Sequence, residues 1–287
     1  MHKPMSAPEP TQSVGSYSGS SFYWALKLLP AARRDAMFRV YAFCREVDDI
    51  ADGDDAAAAK LERLKAYRSA IEAVFAGEPV ELPGVDRLKP VIRDFALAKA
   101  DLLTVIDGME ADAVEAVRIA DEAAFDRYLD QVACSVGRLS DKVFGLEGPE
   151  AQKLAYHLGR ALQITNILRD LREDAERDRL YLPADVLARH GVTGNRPDEI
   201  LAHPNLNEAL DELATRAEGC FRRTDEALMH LDRKRTRPAR MMQAVYREIL
   251  KRLRTRGLAR VEQPVRLNKL TKLWIALRGL LAYGGAP

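Results

Sequence analysis

Apolar positions recur along this chain at spacings of three and four in almost every segment, the period of an amphipathic helix. Ala, Leu, Arg and Glu dominate, all good helix formers, and alternating runs of β-branched residues are absent. The pattern is punctuated at Pro30, Gly53–Asp55, Gly77–Pro79, Leu82–Gly84, Gly145–Pro149, Leu182–Pro183 and Gly191–Pro204. Helices of ordinary to long length are expected between these breaks. Gly191–Pro204 is the most loop-like interior stretch, but no linker is long enough to force a second domain. Met1–Ser16 is polar, carries three prolines and lacks an apolar core, so it reads as a disordered lead-in and not as a signal peptide. The expectation is one all-α domain over residues 17–287.

Composition adds limits. A length of 287 residues is ample to bury a core and still enclose a central cavity. No run of about 18 apolar residues is present, so no transmembrane helix is expected and the cytoplasm is the default compartment. Cys44, Cys134 and Cys220 stand far apart, which indicates neither a disulfide framework nor a thiolate zinc site. The net charge of +1 excludes an obvious nucleic-acid binder. The charge is unevenly placed: 17 basic against 5 acidic residues from Arg222 onward give +12, leaving −11 for the preceding part. An acidic body that needs cations fits this, as do solvated helix faces of opposite sign.

Two clusters change the picture. On a helix through Arg33–Asp52, Tyr41, Arg45, Asp48 and Asp52 fall within about 60° of one another. They adjoin an apolar stripe of Met37, Val40, Cys44, Val47 and Ala51. Two carboxylates about 4 Å apart repel by about 4 kcal/mol at an effective dielectric of about 20. A shared magnesium ion would remove that repulsion, and Arg45 as a plain ion-pair partner would reduce it. Asp49 points away and is the weaker candidate. In Leu158–Leu182, Gly159, Gln163, Asn166, Asp170 and Asp174 form a polar seam beside Leu162, Ile164, Ile167 and Leu168. Amide and carboxylate oxygens suit magnesium and not zinc. Gly159 on that seam would leave room for a bulky ligand. The mixed charges from Arg172 to Arg179 read mostly as a solvated, salt-bridged face.

These segments resemble a known family. YAFCREVDDIAD is similar to the first aspartate-rich motif of the squalene/phytoene synthases, and NILRDLREDAERDRLYLP to the second. SGSSFYWALKLLP resembles the family's N-terminal substrate-contacting segment, and YLDQVACSVGRL the helix bearing its central tyrosine. The resemblance runs from Ser18 to about Arg266. Together with VIDGMEAD and SVGRLSDKVFG, these phrases look most like the bacterial hopanoid-pathway presqualene diphosphate synthases.

The resemblance implies an α-helical isoprenoid synthase fold that joins two farnesyl diphosphates head to head. It implies magnesium at Asp48 and Asp52 on one wall and at Asn166, Asp170 and Asp174 on the other. Arg45, Arg169, Arg179 and Tyr181 would touch diphosphate. Ser21, Phe22 and Tyr41 would line the mouth, Gln163 the cavity, and Tyr128 the reacting centre, either through its ring face or as a proton relay. Tyr128 also fits a plain core residue. Tyr246 and Arg266 follow from the looser C-terminal match. NADPH is not expected, because the subgroup stops at presqualene diphosphate. Phytoene synthase, complete squalene synthase and a non-catalytic scaffold of the same fold are the competing readings. The basic segment Val265–Tyr283 fits a helix packed on the body, or a peripheral contact with the inner face of the membrane. Downstream pathway enzymes are the other expected partners.

Overall fold

The computed structural model describes residues 25–27, 29–265 and 267. The first long helix, α1 (Ala31–Asp52), begins directly after Pro30 and ends at Gly53. It buries Ala36, Met37, Val40, Phe43, Val47, Ile50 and Ala51, the three-and-four spacing expected of an amphipathic helix. Next come α2 (Ala57–Ala76), short helices α3 (Pro83–Asp86) and α4 (Lys89–Phe95), and α5 (Lys99–Asp112). Gly77 closes α2 in the left-handed region at φ 76°, where its N–H bonds the carbonyl of Val74.

The chain continues through α6 (Glu122–Leu129), a π-helical turn at Asp130–Cys134 and α7 (Ser135–Phe144). After the glycine-rich break comes α8 (Pro149–Glu176), whose proline sits in the first turn where no N–H is needed. At 28 residues it is about 42 Å long. Its buried residues include Leu154, Ala155, Leu158, Ala161, Ile164, Ile167 and Leu168, which lie on several sides, so α8 is the central helix. It packs against α7 and the π-helical turn, and against α11 (Leu206–Met229) and α12 (Arg237–Arg256). Short helices α9 (Ala184–Arg189) and α10 (Pro197–Leu201) occupy the stretch before α11. The second of these lies inside the segment expected to be a loop.

Two features were not expected. The first is a parallel two-stranded bridge, β1 (Val117–Arg118) with β2 (Arg179–Leu180), pairing Val117 with Arg179. Two residues per strand leave no alternation in the sequence. The bridge ties the chain after α5 to the chain after α8, which places Arg179 beside Asp112. The second is the role of Gly159. A Cβ there would stand 2.9 Å from the backbone of Cys134 in the π-helical turn. The missing side chain makes room for a neighbouring backbone, not for a ligand, so that expectation is corrected. Among the described residues no helix is long and apolar enough to cross a membrane.

Candidate active site

Asp48 and Asp52 project from the last turns of α1, one helical turn apart. Arg45 bonds Asp48 at 2.9 Å and Asp49 at 2.7 Å, so the arginine partner weighed against a metal is present. It does not settle the charge. Burial, then Asp52, push the Asp48 carboxyl up to about 6 against the pull of Arg45. Tyr41, half-buried one turn earlier, lies close enough to Arg45 to interact with it.

The opposite wall is the C-terminal half of α8. Asp170 takes both oxygens to its neighbour Arg169, at 2.7 and 2.6 Å. Arg169 also lies close enough to Tyr246 of α12 to interact with it, which brings that residue to the site. Asp174 has no ion pair among the described residues. Burial, then Asp170, push its carboxyl up to about 7, opposed by Arg179. Asp112 and Asp52 act on it as well, so the carboxylates of α1, α5 and α8 face one space. Asn166 donates to Gln163 Oε1 at 3.3 Å, while its own Oδ1 is buried with no partner.

Arg179 lies between the walls. Its Nη1 donates to Asp52 Oδ1 at 2.6 Å and its Nη2 to the carbonyls of Ala51 and Asp112 at 3.3 Å each. Arg177 reaches Asp52 Oδ2 at 3.3 Å. Below them Tyr128 and Tyr181 are buried with their rings stacked, centroids 4.9 Å apart. Both hydroxyls donate to the carboxylate of Asp112, at 3.0 and 2.9 Å. Burial, then the charge of Asp112, hold the Tyr128 phenol well above its usual range, so it stays protonated.

Asp48, Asp52, Asp170, Asp174, Arg169, Arg179, Tyr181, Tyr128 and Tyr246 thus form a connected set, while Asn166 and Gln163 bond each other one to two turns earlier on α8. Ser21, Phe22 and Arg266 lie outside the described residues. Asp112 and Arg177 belong to the set and were missed. A signal for Asp112 existed: it continues the stripe Leu102, Val105, Met109 at helical spacing, a carboxylate where an apolar residue is expected.

The donors suit a hard divalent cation. Carboxylates pushed up by burial and mutual repulsion, with an orphaned amide oxygen, are what a magnesium ion would satisfy. Among the described residues no three His, Cys, Asp or Glu side chains form a ready-made metal cage. Magnesium ordinarily keeps waters and takes ligands from phosphate, so it needs none.

The model of the squalene/phytoene synthase family matches residues 16–274. A presqualene diphosphate synthase of Rhodopseudomonas palustris is 41% identical over 271 residues, 94% of this chain and 96% of the relative. One from Sinorhizobium fredii is 42% identical over 260 residues, covering 91% and 92%. A crystal structure of a dehydrosqualene synthase in complex with ligand superposes with a TM-score of 0.80 at 25% identity, covering 95% and 94%. The all-α isoprenoid synthase fold is therefore shared with known members, and the chain belongs to the squalene/phytoene synthase family of prenyltransferases.

Proposed function

We propose that this chain condenses two farnesyl diphosphates head to head to presqualene diphosphate, with magnesium as its metal. The observation that carries the reading is Arg179, a half-buried cation set among the carboxylates of two facing walls. Anionic walls with a fixed cation at their seam fit a metal-bound diphosphate. The relatives named for presqualene diphosphate support the product.

Asp48 and Asp52 would hold the ion on one side, and Asn166, Asp170 and Asp174 on the other. When bound, it would neutralise charge growing on the departing diphosphate. Arg45, Arg169 and Arg179 supply further positive charge to that group from fixed positions. Departure leaves an allylic cation, which the double bond of the second molecule attacks. Loss of a proton then closes the cyclopropane ring. Tyr128 offers electron density from its ring to the cationic stage. The apolar core around it keeps water from the cation.

The test is product analysis with farnesyl diphosphate and magnesium, with and without NADPH. The cyclopropyl diphosphate is expected in both. Squalene appearing only with NADPH would overturn the stop at presqualene diphosphate. The proposed setting is the cytoplasm, with the basic segment Val265–Tyr283 touching the inner face of the membrane. That segment lies almost wholly outside the described residues, and its basic, amphipathic sequence is what supports the proposal.

A further inference from the structure

Nothing in the functional reading above uses Asp112, yet it is the most constrained carboxylate of the site. It ends α5, is 7% exposed, and accepts a hydroxyl on each oxygen, Tyr181 on Oδ1 and Tyr128 on Oδ2. One carboxylate thereby joins α5, α6 and the segment after β2. Its backbone carbonyl is held in turn by Arg179, the cation paired with Asp52.

We infer that Asp112 is a positioning residue, which locks the Tyr128 and Tyr181 rings into one stack and keeps the Tyr128 hydroxyl proton turned away from substrate. The inference rests on the proposed condensation. A phenol has a single proton. With that proton on Asp112, the Tyr128 hydroxyl presents only lone pairs elsewhere, and one ring face is covered by Tyr181. What remains is an electron-rich ring face and an acceptor oxygen, both of the sign that stabilises positive charge. The geometry therefore disfavours Tyr128 as a donor of its own proton to substrate, and leaves its ring and lone pairs to meet positive charge.

A purely architectural explanation fits poorly. Burying a carboxylate is costly unless it is paired, and no cationic side chain bonds the Asp112 oxygens among the described residues. An apolar residue of similar size would fill the same space without that cost. Two tyrosine hydroxyls in fixed orientation are what the carboxylate adds.

The test uses the full chain as wild type, Asp112→Leu, Asp112→Asn, Tyr128→Phe, and each Asp112 change combined with Tyr128→Phe. Magnesium-dependent diphosphate release from farnesyl diphosphate gives kcat and KM. Near-UV circular dichroism reports the packing of the tyrosine pair. Each Asp112 change is expected to lower kcat at least about tenfold with KM within about threefold. Added to Tyr128→Phe, it should cost less than about a further twofold, because residues acting as a unit are not additive. The near-UV band lost in Tyr128→Phe should also be lost in Asp112→Leu. Full multiplication of the two effects, kcat within twofold of wild type, or an unchanged near-UV band would each overturn the inference. Asp112→Asn keeps shape and polarity, so it carries the kinetic test if the leucine variant does not fold. No diphosphate release by wild type would instead sink the functional reading, while the dichroism would still decide whether Asp112 holds the tyrosine pair.

Discussion

Arg179 and Asp52 stand 127 residues apart in sequence and 2.6 Å apart in the fold. The two-residue bridge between β1 and β2 makes that meeting possible, because it pins the chain after α8 against the end of α5. Asp52 brings α1 to the same point. One guanidinium therefore touches the ends of both α1 and α5, through the side chain of Asp52 and the backbone carbonyls of Ala51 and Asp112, while its charge also acts on Asp174 of α8.

Arg179→Lys tests whether the planar fork matters or only the charge. Lysine keeps the positive charge but cannot make the same set of directed bonds. Diphosphate release should fall at least tenfold, about 1.4 kcal/mol or more in transition-state stabilisation. Steady-state kinetics with farnesyl diphosphate measures it. Wild-type rates in the lysine variant would show that point charge alone suffices.

Asp174 sits where function and stability conflict. Its carboxyl is pushed up by burial and by Asp170, and it has no ion pair among the described residues. Asp174→Asn should therefore raise the melting temperature of metal-free protein while abolishing most activity. The same change should shrink the upward shift that magnesium gives to wild type, since a cation that binds only the folded state stabilises it by mass action. Thermal melts with and without magnesium read both effects. A variant that melts lower than wild type without metal would contradict the repulsion argument.

Burial pushes the Asp112 carboxyl up to about 6 from its ordinary 3.8, against the two tyrosine hydrogen bonds and Arg179. A raised carboxyl binds its proton more tightly in the folded protein. Its contribution to stability is complete below pH 3.8 and is lost as pH rises through about 6. The loss amounts to about 3 kcal/mol at most. Asp112→Asn cannot ionise, so wild-type stability relative to this variant should decline from pH 4 to pH 7. Urea unfolding across that range measures the difference, and a pH-independent gap would refute it.

How far the sequence alone reaches can be seen residue by residue. Asp48 and Asp52 were legible because helical spacing placed carboxylates beside the apolar stripe that α1 does bury. The seam on α8 was legible for the same reason. Asp112 is legible only as a carboxylate on the apolar stripe of α5; its meaning lies in hydroxyls 16 and 69 residues away, which no spacing in the sequence shows. Gly159 carries an ambiguous signal, because a glycine on a helix face says that something comes close, not what comes, and here it is the backbone of Cys134. The β1–β2 bridge is too short to leave a period of two. Arg45 shows a further limit: spacing alone does not tell an ion-pair partner from a diphosphate ligand, and what the fold displays is its pairing with Asp48 and Asp49.

The basic segment after Arg266 gives a prediction about membranes. Removing the residues beyond Arg266 takes away Lys269, Lys272 and Arg278 along with Trp274. Each basic residue near an anionic surface is worth about 1 kcal/mol, so binding to anionic vesicles should weaken at least tenfold. Co-sedimentation with vesicles of mixed zwitterionic and anionic lipid measures it. Unchanged binding by a folded truncated protein would remove the proposal.

Gly159 supplies the last prediction, through contrast with Gly219. A Cβ at 159 would meet the Cys134 Cα and N at 2.9 Å, and backbone cannot swing aside as a side-chain tip can. Gly159→Ala should therefore force α8 away from the π-helical turn and cost about 1–3 kcal/mol. Gly219 lies in mid α11 with only the Arg222 Nη2 at 3.7 Å, an ordinary contact. There, alanine lowers the entropy of the unfolded chain and clashes with nothing, so Gly219→Ala should stabilise by about 0.5–1 kcal/mol. Because the π-helical turn directly follows Tyr128 and Leu129, the Gly159 change should also reduce diphosphate release, while the Gly219 change leaves it alone. Urea unfolding and diphosphate release on both variants decide it. A neutral Gly159→Ala would mean that the close packing of α8 on this turn is not what the glycine serves.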